Sequence, residues 1–173
     1  MLKYVQPPIW RRLQVASTDN LGDVHIALQI VMGWTNSHVH EFTRDHARYG
    51  IPDKDFPSDV LDELEYRLDQ VLKKEKDRLS YVYDFGDGWE HEVVLEKILP
   101  FETGVVLPVC LDGERACPLE DVGGIPGYEM FLEAISDPSH PEHDELIEWS
   151  GGDFDPEHFD LALTNDLLRE YCD

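Results

Sequence analysis

The fold of this chain is decided by one stretch, Tyr81-Val82-Tyr83-Asp84-Phe85-Gly86-Asp87-Gly88-Trp89-Glu90-His91. Alternating apolar residues on both sides of an Asp-Gly pair predict a β-hairpin, because a type I′ turn needs positive φ at its two central residues. If Asp87-Gly88 forms the two-residue loop, Asp84 lies opposite His91 on one face. If Gly86-Asp87 forms the loop, Asp84 lies opposite Trp89 instead. The hairpin is predicted either way, with these two registers open.

Two strands and a helix are predicted ahead of the hairpin. Ile9–Val15 alternates as a strand does, and Ser37–Phe42 repeats that alternation. Between them, apolar residues recur at helical spacing from Leu21 to Val31, after a run of capping residues at 17–20. Gly33 then stands where a helix commonly ends. This order predicts a strand, a buried helix and a second strand.

A second helix is predicted directly before the hairpin. The polar segment Arg44–Pro57 contains glycine and two prolines and is predicted to be a loop. Ser58 is then a suitable N-cap for a helix that carries four apolar residues on one side, Leu61, Leu64, Leu68 and Val71. The hairpin's second strand is predicted to run to Ile98.

The chain changes character beyond Pro100, where acidic segments alternate with glycine and proline. Cys117–Gly127 is predicted to be an irregular loop, followed by a short helix over Tyr128–Ile135. Asp155-Pro156 is predicted to start the last helix, because Asp is a good N-cap and Pro a good first helical residue.

These elements predict an α+β protein with a mixed sheet packed by two main helices. At 173 residues the chain suits one domain. We expect a core over residues 1–99 and an acidic, loop-rich helical extension over 100–173.

The charge is strongly negative and unevenly distributed. The chain carries 14 basic and 37 acidic side chains, a net charge of −23. Residues 100–173 contain 19 of the acids but only two basic residues, Arg115 and Arg169, so the balance is −17 there and −6 over residues 1–99. Such a surface repels nucleic acid, whose binding requires Lys and Arg along the phosphates. It serves solubility, or it suits a basic protein partner.

The sequence predicts a cytoplasmic protein that does not cross a membrane. No run approaches the roughly 20 apolar residues of a membrane span. Residues 1–8 lack the apolar stretch of a signal peptide. Three cysteines, an odd number, fit a reducing compartment better than a disulfide framework.

The first candidate site combines three histidines and an aspartate, His38, His40, Asp84 and His91. His-x-His on one strand projects two imidazoles to the same side, and Asp or His from a neighbouring strand would complete a Zn²⁺ or Mn²⁺ site. The alternative is structural: partly buried histidines that bond to Asp84, Glu90 or the backbone.

Two pairs of carboxylates form a second candidate, Asp84 with Asp87 and Glu120 with Asp121. Paired carboxylates bind hard cations or divide acid and base roles. The alternative is that Asp87 and the Glu120-Asp121 pair only serve turns, the latter before Gly123-Gly124.

A third, weaker pattern is Cys110 and Cys117 with His140 and His143. Six residues separate the cysteines, whereas zinc sites usually have two to four between such ligands.

Several blocks stand out in order along the chain: Pro7-Pro8-Ile9-Trp10-Arg11-Arg12, Met32-Gly33-Trp34, His38-Val39-His40-Glu41-Phe42, Tyr83 to His91, Pro118 to Gly124 and Asp153-Phe154-Asp155-Pro156. Together they resemble one known family, the plasmid pRiA4b ORF-3-like family. The resemblance implies an α/β roll and an association with plasmids or other mobile elements, and it carries no mechanism. Val122 stands where members often have cysteine, so a cysteine-based metal site would be incomplete here.

Some members are labelled resolvase-like, which the residues do not support. A serine resolvase needs arginines around its nucleophile and a basic DNA-reading module. No Ser–His–Asp order or phosphate-binding loop stands out, so no catalytic residue is assigned. We therefore expect a binding or adaptor protein that acts through its acidic surface, or alternatively a metal-dependent, hydrolase-like enzyme beside the hairpin.

Overall fold

The computed structural model describes residues 1–53, 55, 58–100 and 102–172. Its elements in chain order are β1 (Trp10–Gln14), α1 (Leu21–Met32), β2 (His40–Arg44), β3 (Ala47–Gly50), β4 (Val60–Asp62), a 3-10 turn (Glu63–Glu65), α2 (Leu68–Val71), β5 (Arg78–Tyr83), β6 (Trp89–Val94), β7 (Val109–Glu114), α3 (Gly124–Ser136), α4 (His143–Trp149) and α5 (Leu161–Tyr171). The predicted α+β class is confirmed. Within the described ranges, no helix has the length and apolar character needed to cross a bilayer.

A five-stranded mixed sheet forms the centre of the fold, in the order β4-β3-β2-β5-β6. Its neighbours are antiparallel except β3 and β4, which run parallel. Alternate residues of β5 and β6 point to one buried face, including Tyr81, Tyr83, Trp89 and His91. This aromatic face is the core on which the candidate site rests.

The predicted hairpin is confirmed, but both predicted registers are wrong. Tyr83 pairs with Trp89 and Tyr81 with His91, so the loop spans the five residues 84–88. Asp84 leaves the strand because its φ is 55°, while its amide donates to the Val39 carbonyl at 2.9 Å. The Asp-Gly pair therefore lies in a wider loop, and Asp84 does not face His91.

The first helix agrees with its prediction because both ends carry strong local signals. Asn20 and Asp23 form a capping box at its start. Gly33 ends it with φ 84° and donates its amide to the Gln29 carbonyl. The predicted Ile9–Val15 and Ser37–Phe42 strands appear as β1 and β2, the latter displaced toward Arg44.

The second helix predicted from Ser58 is wrong. Residues Val60–Asp62 instead form β4, whose backbone pairs with Arg48–Gly50. Asp62 then caps a 3-10 turn by accepting from the Leu64 amide at 3.0 Å, and α2 lasts only four residues. The predicted 44–57 loop is also wrong in part, because β3 lies within it; residues 54, 56 and 57 are outside the described chain.

The acidic extension contributes a strand that the sequence did not indicate. Strand β7 pairs antiparallel with β1 in a two-stranded sheet. Strand β6 ends at Val94 rather than Ile98, and α4 is a further unpredicted element.

The last helix begins later than predicted. Asp160 is its N-cap and accepts from the Leu163 amide at 2.9 Å. The predicted cap, Asp155, is used in a local turn, where it accepts from the Glu157 amide.

Candidate functional site

Three side chains from separate loops meet beside the hairpin. His38 precedes β2, Asp84 follows β5, and Asp121 lies in the loop before α3. His38 Nδ1 is 3.7 Å from Asp84 Oδ2, and His38 Nε2 is 3.2 Å from Asp121 Oδ1. One potential ligand atom from each lies within 4.8 Å of the others. We call these three residues the His–Asp cluster.

Both aspartates of the cluster sit on unusual backbone. Their φ values are positive, 55° at Asp84 and 59° at Asp121. A left-handed conformation is uncommon for residues other than glycine and persists only where the surroundings hold it. The Gly86 amide donates to Asp84 Oδ1 at 2.8 Å, which leaves Oδ2 facing His38. The loops are thus shaped to present these carboxylates.

Asp87 joins the two aspartate loops and has a structural role. Its Oδ2 accepts from the Gly123 amide at 3.2 Å. Gly124 has φ 67°, and a Cβ there would lie 2.6 Å from the Asp87 carbonyl oxygen. A Cβ on Gly127 would lie 1.9 Å from the Val122 carbonyl oxygen. Glycine therefore permits the close packing that holds the loop of Asp121 against the hairpin.

Glu120 supports the cluster from the neighbouring position. It accepts a hydrogen bond from Thr35 Oγ1 at 2.5 Å and another from the Tyr83 hydroxyl. Partial burial alone would raise the pKa of Glu120, but these two bonds outweigh it and the pKa lies below its usual value. Burial and then the bond to Glu120 raise the pKa of the Tyr83 hydroxyl. Glu120 is therefore an anchored carboxylate and a poor proton acceptor.

His40, a predicted member of the site, lies in a different, buried network. Its Nε2 donates to Glu63 Oε2 at 2.7 Å, and its ring stacks on His25 with centroids 3.4 Å apart. The Asn36 amide oxygen accepts from His25 Nε2, so His25 Nδ1 accepts from the Tyr81 hydroxyl at 2.8 Å. Burial, and then the neighbouring His40, lower the pKa of His25 to about 4.

His91 is also separate from the cluster. It is buried in the sheet, where Nδ1 donates to the Trp89 carbonyl at 3.0 Å and its ring lies edge-on to Trp34. Its Nε2 is buried with no hydrogen-bond partner among the described residues. Burial lowers the pKa of His91 to about 3. The structure thus brings together His38 and Asp84 of the first predicted set, and not His40 or His91.

Sequence reasoning missed the partners of His40. His25 lies in the predicted helix four residues after Leu21, and this spacing is the signal that could have indicated its burial. Glu63 had no usable signal, because its segment was predicted to be helical. Asp121, a secondary candidate, proves to be the third member of the His–Asp cluster.

The pattern of two cysteines and two histidines is not brought together. Cys110 and Cys117 are buried, and burial raises the pKa of the Cys117 thiol. His143 Nδ1 bonds to the Ala134 carbonyl in the α3–α4 region. Within the described part of the chain, the only grouping of three or more potential metal ligands is the His–Asp cluster.

A groove of about 390 Å³ adjoins the cluster and shares Asp121 with it. It lies between α3 and α4. Its apolar lining consists of Val122, Met130, Phe131, Leu146 and Trp149. Its acidic lining consists of Asp121, Glu133, Glu142 and Glu145, and His140 completes its polar side chains.

The cluster has the chemistry of a divalent-cation site. One imidazole nitrogen and two carboxylate oxygens suit Zn²⁺ or Mn²⁺. The Asp121 side chain is 75% exposed, so the outer side of the cluster is open to solvent. Three protein ligands with an open side are typical of catalytic rather than structural zinc sites.

Comparison with known proteins identifies the family. The chain is 40% identical over 171 residues to the uncharacterised protein y4hQ of Sinorhizobium fredii (strain NBRC 101917 / NGR234), covering 98% of this chain and 88% of that one. The crystal structure of a protein of unknown function, MM3350 from Methanosarcina mazei Go1, is 39% identical with a TM-score of 0.84, over 92% of this chain and 91% of that one. The family model for plasmid pRiA4b ORF-3-like proteins matches residues 1–163, and this chain belongs to that family.

Proposed function

We propose that this protein binds a divalent metal ion at the His–Asp cluster and acts as a metal-dependent, hydrolase-like enzyme of the cytoplasm. The observation that carries the proposal is the convergence of His38, Asp84 and Asp121 from three loops. A bound Zn²⁺ or Mn²⁺ supplies Lewis acidity and lowers the pKa of bound water. The free state of all three cysteines supports the reducing compartment.

The chain's own residues would set the geometry of this site. The backbone at Asp84 and Asp121 aims both carboxylates at His38. Glu120, anchored by Thr35 and Tyr83, holds the start of the Asp121 loop and adds negative charge beside the cation.

Calorimetric titration of metal-free protein with Zn²⁺ and Mn²⁺ tests the proposal. We expect one site per chain, with affinity reduced at least about tenfold in His38→Ala and Asp121→Asn, since each change removes one ligand. His46→Ala is the matched control, because His46 is an exposed histidine outside the cluster. Equal affinity in all variants, or no binding by the unaltered protein, would refute the metal site.

Enzymatic activity needs a separate measurement. A panel of ester, phosphoester and peptide substrates, assayed with and without the bound metal, should reveal hydrolysis that disappears in His38→Ala. Metal binding without any hydrolysis would reduce the proposal to a metal-binding protein.

A second candidate function is binding of a basic protein partner as an adaptor. The supporting observation is the balance of −17 over residues 100–173. Capture of partners from a lysate at low and high salt tests it, since binding through exposed charges weakens as salt screens them. A set of partners that does not change with salt would contradict it. The association with mobile elements stays a prediction of the family resemblance.

A further inference from the structure

We propose that the groove between α3 and α4 binds a basic amphipathic segment of a partner protein, with the segment's apolar face on the groove floor and its Lys or Arg side chains on the rim. This inference rests on the second candidate function and names the surface and the partner chemistry. It does not require the metal site.

The floor of the groove exposes large apolar side chains next to one another. Met130 is 65% exposed and Trp149 is 48% exposed. Phe131 is buried below them and contacts the Trp149 ring edge-to-face, with centroids 5.8 Å apart. This contact fixes the indole at the surface. Exposed apolar patches with a polar rim commonly mark interaction sites.

The described rim of the groove carries acidic side chains and no lysine or arginine. Glu133, Glu142 and Glu145 are exposed, and none forms an ion pair with another described residue. No lysine or arginine occurs between Arg115 and Arg169. With no lysine or arginine in the described lining of the groove, these carboxylates are available to cations of a partner.

Charge and shape together select this occupant. A second copy of the chain carries −23 itself and would be repelled, as would nucleic acid. A small cation would satisfy the rim but leave the Met130 and Trp149 surface uncovered. An amphipathic helix with apolar residues at helical spacing and basic flanks meets both requirements, which is the usual helix-in-groove arrangement.

The test measures binding of a fluorescent peptide composed of leucine and lysine at helical spacing, by anisotropy at an ionic strength of about 0.15 M, where the Debye length is about 8 Å. The test variant is the double substitution Glu133→Lys with Glu145→Lys, on the groove. Its matched control is Glu129→Lys with Glu148→Lys, which makes the same charge change on the same two helices, outside the groove lining. Circular dichroism checks that both proteins fold.

We expect the groove variant to lose at least about tenfold in affinity for the peptide and the control to lose less than about threefold. The reason is that salt screens charges far from the bound peptide more than charges that contact it. Met130→Ser should also weaken binding, and an all-lysine peptide should bind more weakly than the amphipathic one. Equal losses in the two double variants, or equal binding of the two peptides, would overturn the groove while leaving an adaptor role for the remaining acidic surface. Failure of the unaltered protein to bind any basic peptide would overturn both.

Discussion

Two buried imidazoles, His25 and His91, are held neutral in the core. Burial lowers their pKa values to about 4 and about 3, well below the 6.5 of an exposed histidine. The unfolded chain therefore binds more protons than the folded chain at mildly acidic pH. Stability consequently rises with pH across this interval and is lost as the pH falls from about 6.5 toward 4.

Replacing His91 with phenylalanine should flatten this pH dependence. The substitution removes the proton that the unfolded chain takes up there, and it removes the unpartnered buried Nε2. Urea denaturation at several pH values below about 6.5 measures the effect, to which each pH unit contributes at most about 1.4 kcal/mol per histidine. An unchanged slope would show that His91 is not neutral in the folded state.

The Tyr83 hydroxyl should influence metal binding without being a ligand. In Tyr83→Phe, Glu120 loses a hydrogen bond and the loop of Asp121 loosens, so we expect metal affinity to fall about tenfold. Tyr81→Phe is the control, since its hydroxyl bonds to His25 and Gln29 instead. Tyr83→Phe should lose about 1 kcal/mol of stability, and Tyr81→Phe about 1–3 kcal/mol because it leaves the buried His25 and Gln29 groups without their partner. An equal loss of metal affinity in both would point to general destabilisation.

The sequence predicts which residues have suitable chemistry better than it predicts which residues lie next to one another. The sequence predicts one site for His38 and Asp84, and it indicates Asp121 as a carboxylate candidate. His40 is predicted beside His38 because a strand alternates its faces, but His38 lies before β2 begins. His91 is predicted beside Asp84 from the hairpin register, but the observed register pairs His91 with Tyr81. Aspartate adopts positive φ more readily than most residues, but the sequence does not show that Asp84 and Asp121 both do so.

At the scale of elements, the hairpin loop packs against the loop before α3 through Gly124. Any side chain at that position would force the backbone to move. We expect Gly124→Ala to destabilise the protein by more than about 2 kcal/mol, through strain at φ 67° and a clash with the Asp87 carbonyl oxygen. Gly33→Ala, where φ is 84° but space is open, should lose only about 1 kcal/mol. Thermal or urea denaturation measures the loss of stability in each variant. Equal losses in Gly124→Ala and Gly33→Ala would contradict the close approach of Gly124 to the Asp87 carbonyl oxygen.

Local signals predicted those elements that local contacts determine. Helix α1 has its capping box and its terminal glycine within its own sequence. The segment around Val60–Asp62 has helical spacing but pairs with β3, because unpaired backbone groups of that strand were available to it. Strand β7 was missed for the same reason, since its partner β1 lies about a hundred residues earlier.

At the scale of the whole molecule, the acidic extension is part of the framework. Strand β7 completes the sheet of β1, and Arg11 donates to the carbonyls of Val31, Glu114 and Arg115. We propose that residues 1–173 fold as one domain, and that a fragment ending at residue 99 lacks cooperative unfolding. Co-expression with residues 100–173 should restore it. Cooperative unfolding of the short fragment alone would show that the extension is separate.

Class and family were predictable at this scale, whereas strand order was not. Charge, length and the order of the sequence blocks can be read directly from the sequence. The order β4-β3-β2-β5-β6 depends on which backbone edges meet after distant segments have packed.

Asp121 borders both the His–Asp cluster and the α3–α4 groove. If the metal ion binds the cluster and the basic segment binds the groove, their affinities are coupled through this one carboxylate. A cation at the cluster neutralises the negative charge of Asp121 that would otherwise attract the basic segment. Equilibrium thermodynamics makes such antagonism reciprocal: the factor by which Zn²⁺ weakens the peptide equals the factor by which the peptide weakens Zn²⁺. The protein would then release its partner as the metal concentration rises. Metal would thus control partner binding through charge alone, with no conformational change.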